Sequence, residues 1–231
     1  VQEQMKAEHL KTELITNVSH DIKTPLTSMM VMADLLQDAQ LPAAKREEFT
    51  ERIRAQLERI QWLVSSLLKM SKLDAGVVTF RLEAVPVRSL LEKAAAPLLI
   101  PIELKTQSLL YDGDSAARCR CDPHWTAEAL LNILKNCMEH TPVGGHLRLS
   151  WLENPLYSEI RIEDDGEGIA REDLPHIFTR FYKGKNASED SAGIGLAMAR
   201  TILERENGLI TVDSVPGRGT RFVIRLYKTV V

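Results

Sequence analysis

The chain has 231 residues, 44% of them hydrophobic and 26% charged, with a formal net charge of -3. This composition fits one or two compact soluble domains and gives no electrostatic reason to expect a nucleic-acid partner. Three cysteines are too few, and odd in number, for a disulfide scaffold, and no stretch reaches the roughly 18 apolar residues of a membrane span.

No signal peptide is visible, and the chain starts without Met in a charged helical pattern, so it is expected to be a cytoplasmic piece of a longer protein. Residues 1–76 read as two helices. In the first, Leu14, Val18, Ile22, Pro25, Met29, Met32 and Leu36 recur every three or four positions and form a stripe on one face. Ile53, Gln56, Ile60, Leu63, Leu67 and Met70 repeat the pattern in the second. Leu10, Ile15, Met30, Leu57, Val64 and Leu68 broaden the two stripes, and Pro42 marks a turn or helix start between them. One helical hairpin cannot cover such wide apolar faces. Pairing two hairpins as a four-helix bundle covers them; packing against the second domain is the alternative.

After Asp74-Ala75-Gly76 the pattern changes. Strands are predicted at Val77–Glu83 and Ile102–Ser108, with a helix at Val87–Ala96 between them and a turn at Tyr111–Asp114 beyond. Ala117–Cys121 is strand-like. Cys119-Arg120-Cys121 has the wrong spacing for a common zinc knuckle, and alternation along a strand predicts free, separated thiols. Asp122-Pro123 is a good start for a helix running to about His140. A hairpin is predicted from His146–Leu152 and Tyr157–Glu163, then a helix at Ile194–Asn207 and two strands at Ile210–Ser214 and Thr220–Tyr227. Mixed strands and helices predict a two-layer α+β domain over residues 77–231.

His20 lies two positions from both Val18 and Ile22, about 200° around the helix from the stripe, and so faces outward. Lys23 and Thr24 share its face, and Asp21 is adjacent. A carboxylate beside an imidazole can hold one ring nitrogen protonated and leave the other as nucleophile. Pro25 can bend the helix one turn later. On these residues alone, an ordinary surface histidine and a functional one both stay open.

Farther along, Asn132 and Asn136 share a helix face, and their amides could hold a metal ion or waters around phosphates; a plain polar edge fits equally. In Asp164-Asp165-Gly166-Glu167-Gly168-Ile169 the glycines allow close approach of a ligand, and a carboxylate at a strand end can accept from a purine amino group. Gly193-Ile194-Gly195-Leu196 opens a helix whose free amides favour anions. Neither a Walker A loop nor a Rossmann fingerprint is present.

The segment Asn17–Leu26, with Ser19-His20-Asp21-Ile22-Lys23-Thr24-Pro25, resembles the phosphoacceptor motif of the sensor histidine kinases of two-component systems. Leu131–Pro142 resembles their Asn-rich box, Ile177–Lys183 their aromatic box and Gly217-Arg218-Gly219-Thr220 their final glycine turn. The resemblance implies a helical hairpin forming a dimeric four-helix bundle over residues 1–76, followed by an α+β ATP-binding domain of the gyrase, heat-shock and histidine-kinase type over 77–231. It implies phosphorylation at His20, Asp21 as general base and Thr24 in a phosphatase reaction. It also implies Asn132 and Asn136 at Mg2+, and the amino group of adenine on Asp164, with Gly166, Gly168 and Ile169 on that wall. Phe181 falls in the aromatic box that opens the ATP lid between Tyr182 and Ala192, and Gly193, Ile194, Gly195, Leu196 and Thr220 line the rest of the pocket. The implied partners are a second copy of the chain and a response-regulator receiver domain, with no nucleic acid and no membrane contact by this fragment of a membrane-associated parent.

Two departures stand out. Asp21 replaces the commoner Glu, and Glu139 occupies the place where many members carry a phosphate-contacting lysine. Lys135, His140, Arg180, Lys183 or Lys185 is then expected to supply the charge. Glu139 keeps open a non-catalytic nucleotide-binding dimer scaffold, and the shared ATP fold keeps open a clamp-type ATPase.

Overall fold

The computed structural model describes residues 2–184 and 192–228, with side chains described from Ser19 onward. The chain divides into two compact units, 1–69 and 70–231. No helix among the described residues is long and apolar enough to cross a membrane.

The first unit is a hairpin of α1 (Gln2–Leu35) and α2 (Ala43–Asp74), whose last turn, from Met70, belongs to the second unit. Its turn is tied by Arg46, which donates to the carbonyls of Leu36, just past the end of α1, and of Asp38 at 3.1 Å each; the Asp38 carbonyl also accepts from the Leu41 amide. Ile53, Gln56, Ile60 and Leu67 are half-buried, and Met29, Met32 and Leu63 are buried, as the stripe predicts. Leu10, Leu14, Ile15 and Val18 fall outside the described side chains. Leu26, Met30, Leu57, Val64 and Leu68 remain exposed, so this unit leaves much of its apolar surface uncovered.

The second unit has two layers. Its main sheet has the order β2 (Ser108–Gly113), β4 (His146–Glu153), β5 (Tyr157–Asp164), β7 (Gly219–Tyr227), β6 (Gly208–Val215). Only β2 and β4 are parallel. Leu147, Leu149, Ile160, Ile162, Phe222 and Ile224 alternate onto one face and are buried. Helices α5 (Trp125–His140) and α6 (Gly195–Arg205) supply Leu130, Ile133, Leu134, Met198 and Ile202 to the same core. Ion pairs such as Arg221–Glu163 and Arg225–Glu159 lie among the sheet's other side chains. A small second sheet pairs β1 (Glu83–Pro86) with β3 (Arg118–Cys121), beside α3 (Val87–Ala95).

Four sequence expectations need correction. Val77–Leu82 has no strand partner; pairing begins at Glu83. The segment read as a strand from Ile102 is helical as α4 (Leu99–Leu104), because Pro101 falls in the first turn, where a missing N-H costs nothing. The strand follows at Ser108 and runs through Tyr111–Gly113, so the turn starts at Asp114, whose carbonyl accepts from Ala117. Finally, Cys119 and Cys121 are free, but residues two apart on a strand share a face: both are buried, with their sulfurs 3.6 Å apart.

Candidate functional site

In the first unit, His20 projects from α1 with its side chain 80% exposed. Its Nδ1 lies 3.5 Å from Asp21, whose own carboxyl is largely covered. This leaves Nε2 as the ring nitrogen away from the carboxylate. Thr24 donates to the His20 carbonyl at 3.1 Å, which holds its hydroxyl along the same helix turn. Pro25 is buried within α1 and offers no N-H to the Asp21 carbonyl.

In the second unit, three segments converge on the carboxyl of Asp164, the last residue of β5. It accepts from the amides of Gly166 at 3.0 Å and Thr220 at 3.2 Å, and the Cys137 thiol on α5 also hydrogen-bonds it. Burial pushes this carboxyl above the usual aspartate range, against those three donors. Ser214 closes the wall behind it. Its hydroxyl receives the Ile169 amide at 2.8 Å, donates to the Gly219 carbonyl at 2.8 Å and lies 3.0 Å from the Thr220 hydroxyl. Cys137 and Ser214 were not singled out in the sequence. Cys137 lies inside the Asn-rich segment and Ser214 three residues before the glycine turn, but only helix-on-sheet packing and strand pairing bring them to Asp164.

Asn132 is 5% exposed on α5. Its Nδ2 donates to the Glu128 carbonyl at 2.8 Å, so the side chain is fixed. A Cβ on Gly195 would sit 2.9 Å from its Oδ1; the glycine keeps this oxygen at the opening of α6. There the first-turn amides have no acceptor within the helix. An oriented amide oxygen beside an anion-favouring helix start, with Asn136 half-buried on the same α5, suits a hard oxygen-preferring cation such as Mg2+ bound with phosphates. Ile194 is buried, while Ile169 and Leu196 are half-buried. The Phe181 amide donates to the Gly193 carbonyl at 2.8 Å, so the aromatic segment and the second glycine pair meet.

Three of the positive charges expected at the phosphates have carboxylate partners here. Lys135 pairs with Glu139 at 3.7 Å, His140 with Glu167 at 2.7 Å, and Arg180 makes two 2.6 Å bonds to Asp74. Lys183 is exposed, and Lys185 lies outside the described residues.

Comparison with known proteins agrees in domain order. Residues 10–76 match the His Kinase A (phospho-acceptor) domain, and residues 121–230 match the Histidine kinase-, DNA gyrase B-, and HSP90-like ATPase family. The chain is 30% identical to the sensor histidine kinase YclK of Bacillus subtilis, covering 97% of this chain and 48% of that protein. It is 31% identical to the sensor protein kinase WalK of Staphylococcus aureus, covering 98% and 38%. The chain thus spans about half or less of these curated relatives. Among solved structures, the Acinetobacter baumannii histidine kinase AdeS superposes with a TM-score of 0.74 at 21% identity, over 91% of this chain and 98% of that one. Histidine kinase ThkA, solved in complex with response regulator TrrA, gives 0.77 at 19% identity, over 99% and 66%. At these identities the superpositions speak to the fold. An exposed histidine segment followed by an ATPase domain, each matched to its own family in this order, places the chain in the sensor histidine kinase family.

Proposed function

We propose that this chain is the catalytic portion of a sensor histidine kinase. It transfers the γ-phosphoryl group of ATP to His20 and then passes it to an aspartate of a response-regulator receiver domain. The observation that carries this reading is the exposed imidazole of His20 with Asp21 on its Nδ1 side, in one chain with a pocket built for adenine and phosphate.

Nε2 of His20 attacks the γ-phosphorus, the bond to the ADP oxygen breaks, and Asp21 takes up the Nδ1 proton as the ring becomes positive. Asp164 accepts the adenine amino group, and the start of α6 faces the phosphates. Asn132 and Asn136 would hold Mg2+, which when bound offsets phosphate charge. Thr24 serves the opposing reaction, phosphatase action in which water attacks the regulator's phosphoaspartate and inorganic phosphate leaves. Two chains pair through the exposed Leu26, Met30, Leu57, Val64 and Leu68 as a four-helix bundle. The parent protein is membrane-associated, with this portion on the cytoplasmic side.

Incubation with γ-labelled ATP and Mg2+ tests the reading. Acid-labile, alkali-stable label on the protein, absent in His20→Gln and transferable to a receiver domain, is the expected result. Free phosphate without protein label would indicate a clamp-type ATPase, and neither would indicate a nucleotide-binding scaffold.

A further inference from the structure

Glu206 follows the last residue of α6 and is 2% exposed. One of its carboxylate oxygens accepts the Asp122 amide at 2.8 Å, and the other accepts the Thr126 hydroxyl at 2.7 Å. Asp122 in turn gathers the amides of Arg81, His124 and Trp125 on its own carboxylate. A single buried side chain therefore ties the end of β3 and the first turn of α5 to the last turn of α6. These are the two helices that also meet at Asn132 and Gly195. Thr126 and Asn132 lie six residues apart, about 9 Å along α5. A tilt of α5 at its Glu206 end shifts Asn132 against Gly195, because close-packed helices transmit such displacements.

The charged and titratable groups facing Glu206 are Asp122, with Cys119 and Cys121 from β3. None brings a positive charge. The neighbouring Arg205 spends its guanidinium on the Leu73 carbonyl at 2.9 Å. The C-terminus of α6 disfavours a negative charge, while the start of α5 favours one. Burial is the largest influence and pushes the carboxyl up to about 7. A buried ionisable group poised between its two forms is an expensive way to hold two donors if holding them were all it did.

We propose that Glu206 is a positioning residue for the nucleotide: ionised, it grips Asp122 and Thr126 together and sets Asn132 against Gly195, and protonated, it loosens that cradle. A protonated carboxyl has one hydroxyl oxygen that must itself donate, so one of the two grips weakens. This inference rests on the reading of the second unit as an ATP-binding domain.

The test is calorimetric binding of Mg2+ with a non-hydrolysable ATP analogue to the full chain between pH 5.5 and 8.5. The wild type is expected to lose roughly three- to tenfold in affinity from pH 8 to pH 6, the scale of one hydrogen bond. Glu206→Gln should stay at the weaker level without that inflection. Thr126→Val should lie between, with the inflection kept. A wild-type profile flat across this range overturns the proposal. So does a Glu206→Gln profile that keeps the full pH dependence, which would move its origin to His140 or His146. If Glu206→Gln does not fold, Thr126→Val carries the test, and wild-type affinity in that variant at every pH overturns the proposal. Absence of analogue binding by the wild type at any pH is a different failure, that of the ATP reading itself.

Discussion

Asp164 and Gly219 face each other across paired strands so closely that a Cβ on Gly219 would lie 1.9 Å from the Asp164 carbonyl oxygen. Gly219 also has φ +101°, a conformation that other residues rarely adopt. This close approach lets the next amide, that of Thr220, reach the Asp164 carboxyl. Gly219→Ala is therefore expected to force the strands apart and to lower both the thermal midpoint and nucleotide affinity. Asp164→Asn leaves the strands intact and should lower affinity alone, by about 10- to 100-fold, as loss of a charge-assisted hydrogen bond does. Fluorescent-nucleotide titration beside thermal unfolding separates the two outcomes.

Asp21→Asn should slow autophosphorylation by about 100- to 1,000-fold, the range for loss of a general base. Asp21 lies in the first unit and Asp164 in the second, so the affinity for ATP should stay within about twofold of wild type. Single-turnover labelling and equilibrium binding on the same preparation check both halves of this expectation.

Glu139 draws Lys135 to itself at 3.7 Å on a half-exposed face. Glu139→Lys removes that partner and adds a second positive charge near Asn136. Affinity for ATP should rise about two- to fivefold at low ionic strength, and the gain should shrink in 0.5 M salt. A gain that ignores salt would point to a packing change instead.

Glu206 also gives stability a definite dependence on pH. Its carboxyl titrates near 7 in the folded chain, against 4.5 for an ordinary glutamate. The folded state therefore keeps a proton that the unfolded chain has already released. This contribution is fully present below pH 4.5, declines as pH rises and is gone above about 7. The loss is of the order of 3 kcal/mol at most. Glu206→Gln should remove that decline, so urea midpoints of wild type and variant should diverge between pH 5 and 7.5. Parallel curves would contradict the expectation.

The two bonds between Arg180 and Asp74 join the end of α2 to the segment that leads into Phe181 and Tyr182. Both side chains are partly exposed. A double-mutant cycle with Asp74→Asn and Arg180→Gln should give a coupling of about 0.5–1 kcal/mol in unfolding free energy. Independent effects of the two substitutions would exclude a working pair.

Much of this was legible in the sequence where local pattern and final environment agree. The period of Ile53, Ile60 and Leu63 marks the covered face of α2, and the alternation of Leu147, Leu149 and Trp151 marks the inner face of β4. Legibility failed where partners are distant. Ile102 has the hydrophobicity of a strand residue, yet its segment has no neighbour to pair with, while Ser108–Gly113, turn-like in composition, is held by β4. In the candidate site the same division holds. Asp164, Asn132 and the glycines announce themselves by spacing. Ser214, Cys137 and Glu206 act through contacts across 6 to 84 positions of chain, which no local pattern encodes.

The strand order carries a consequence for how the pocket comes into being. β7 follows the other described strands of this sheet in the chain, yet it lies between β5 and β6 rather than at an edge. During synthesis, then, β5 and β6 must wait with open pairing edges until β7 emerges and slots between them. Thr220 arrives with that strand, so the wall around the Asp164 carboxyl closes only once β7 has emerged. A ribosome stalled before residue 219 would leave a chain with α1 and α2 made and the Asp164 carboxyl without its Thr220 donor.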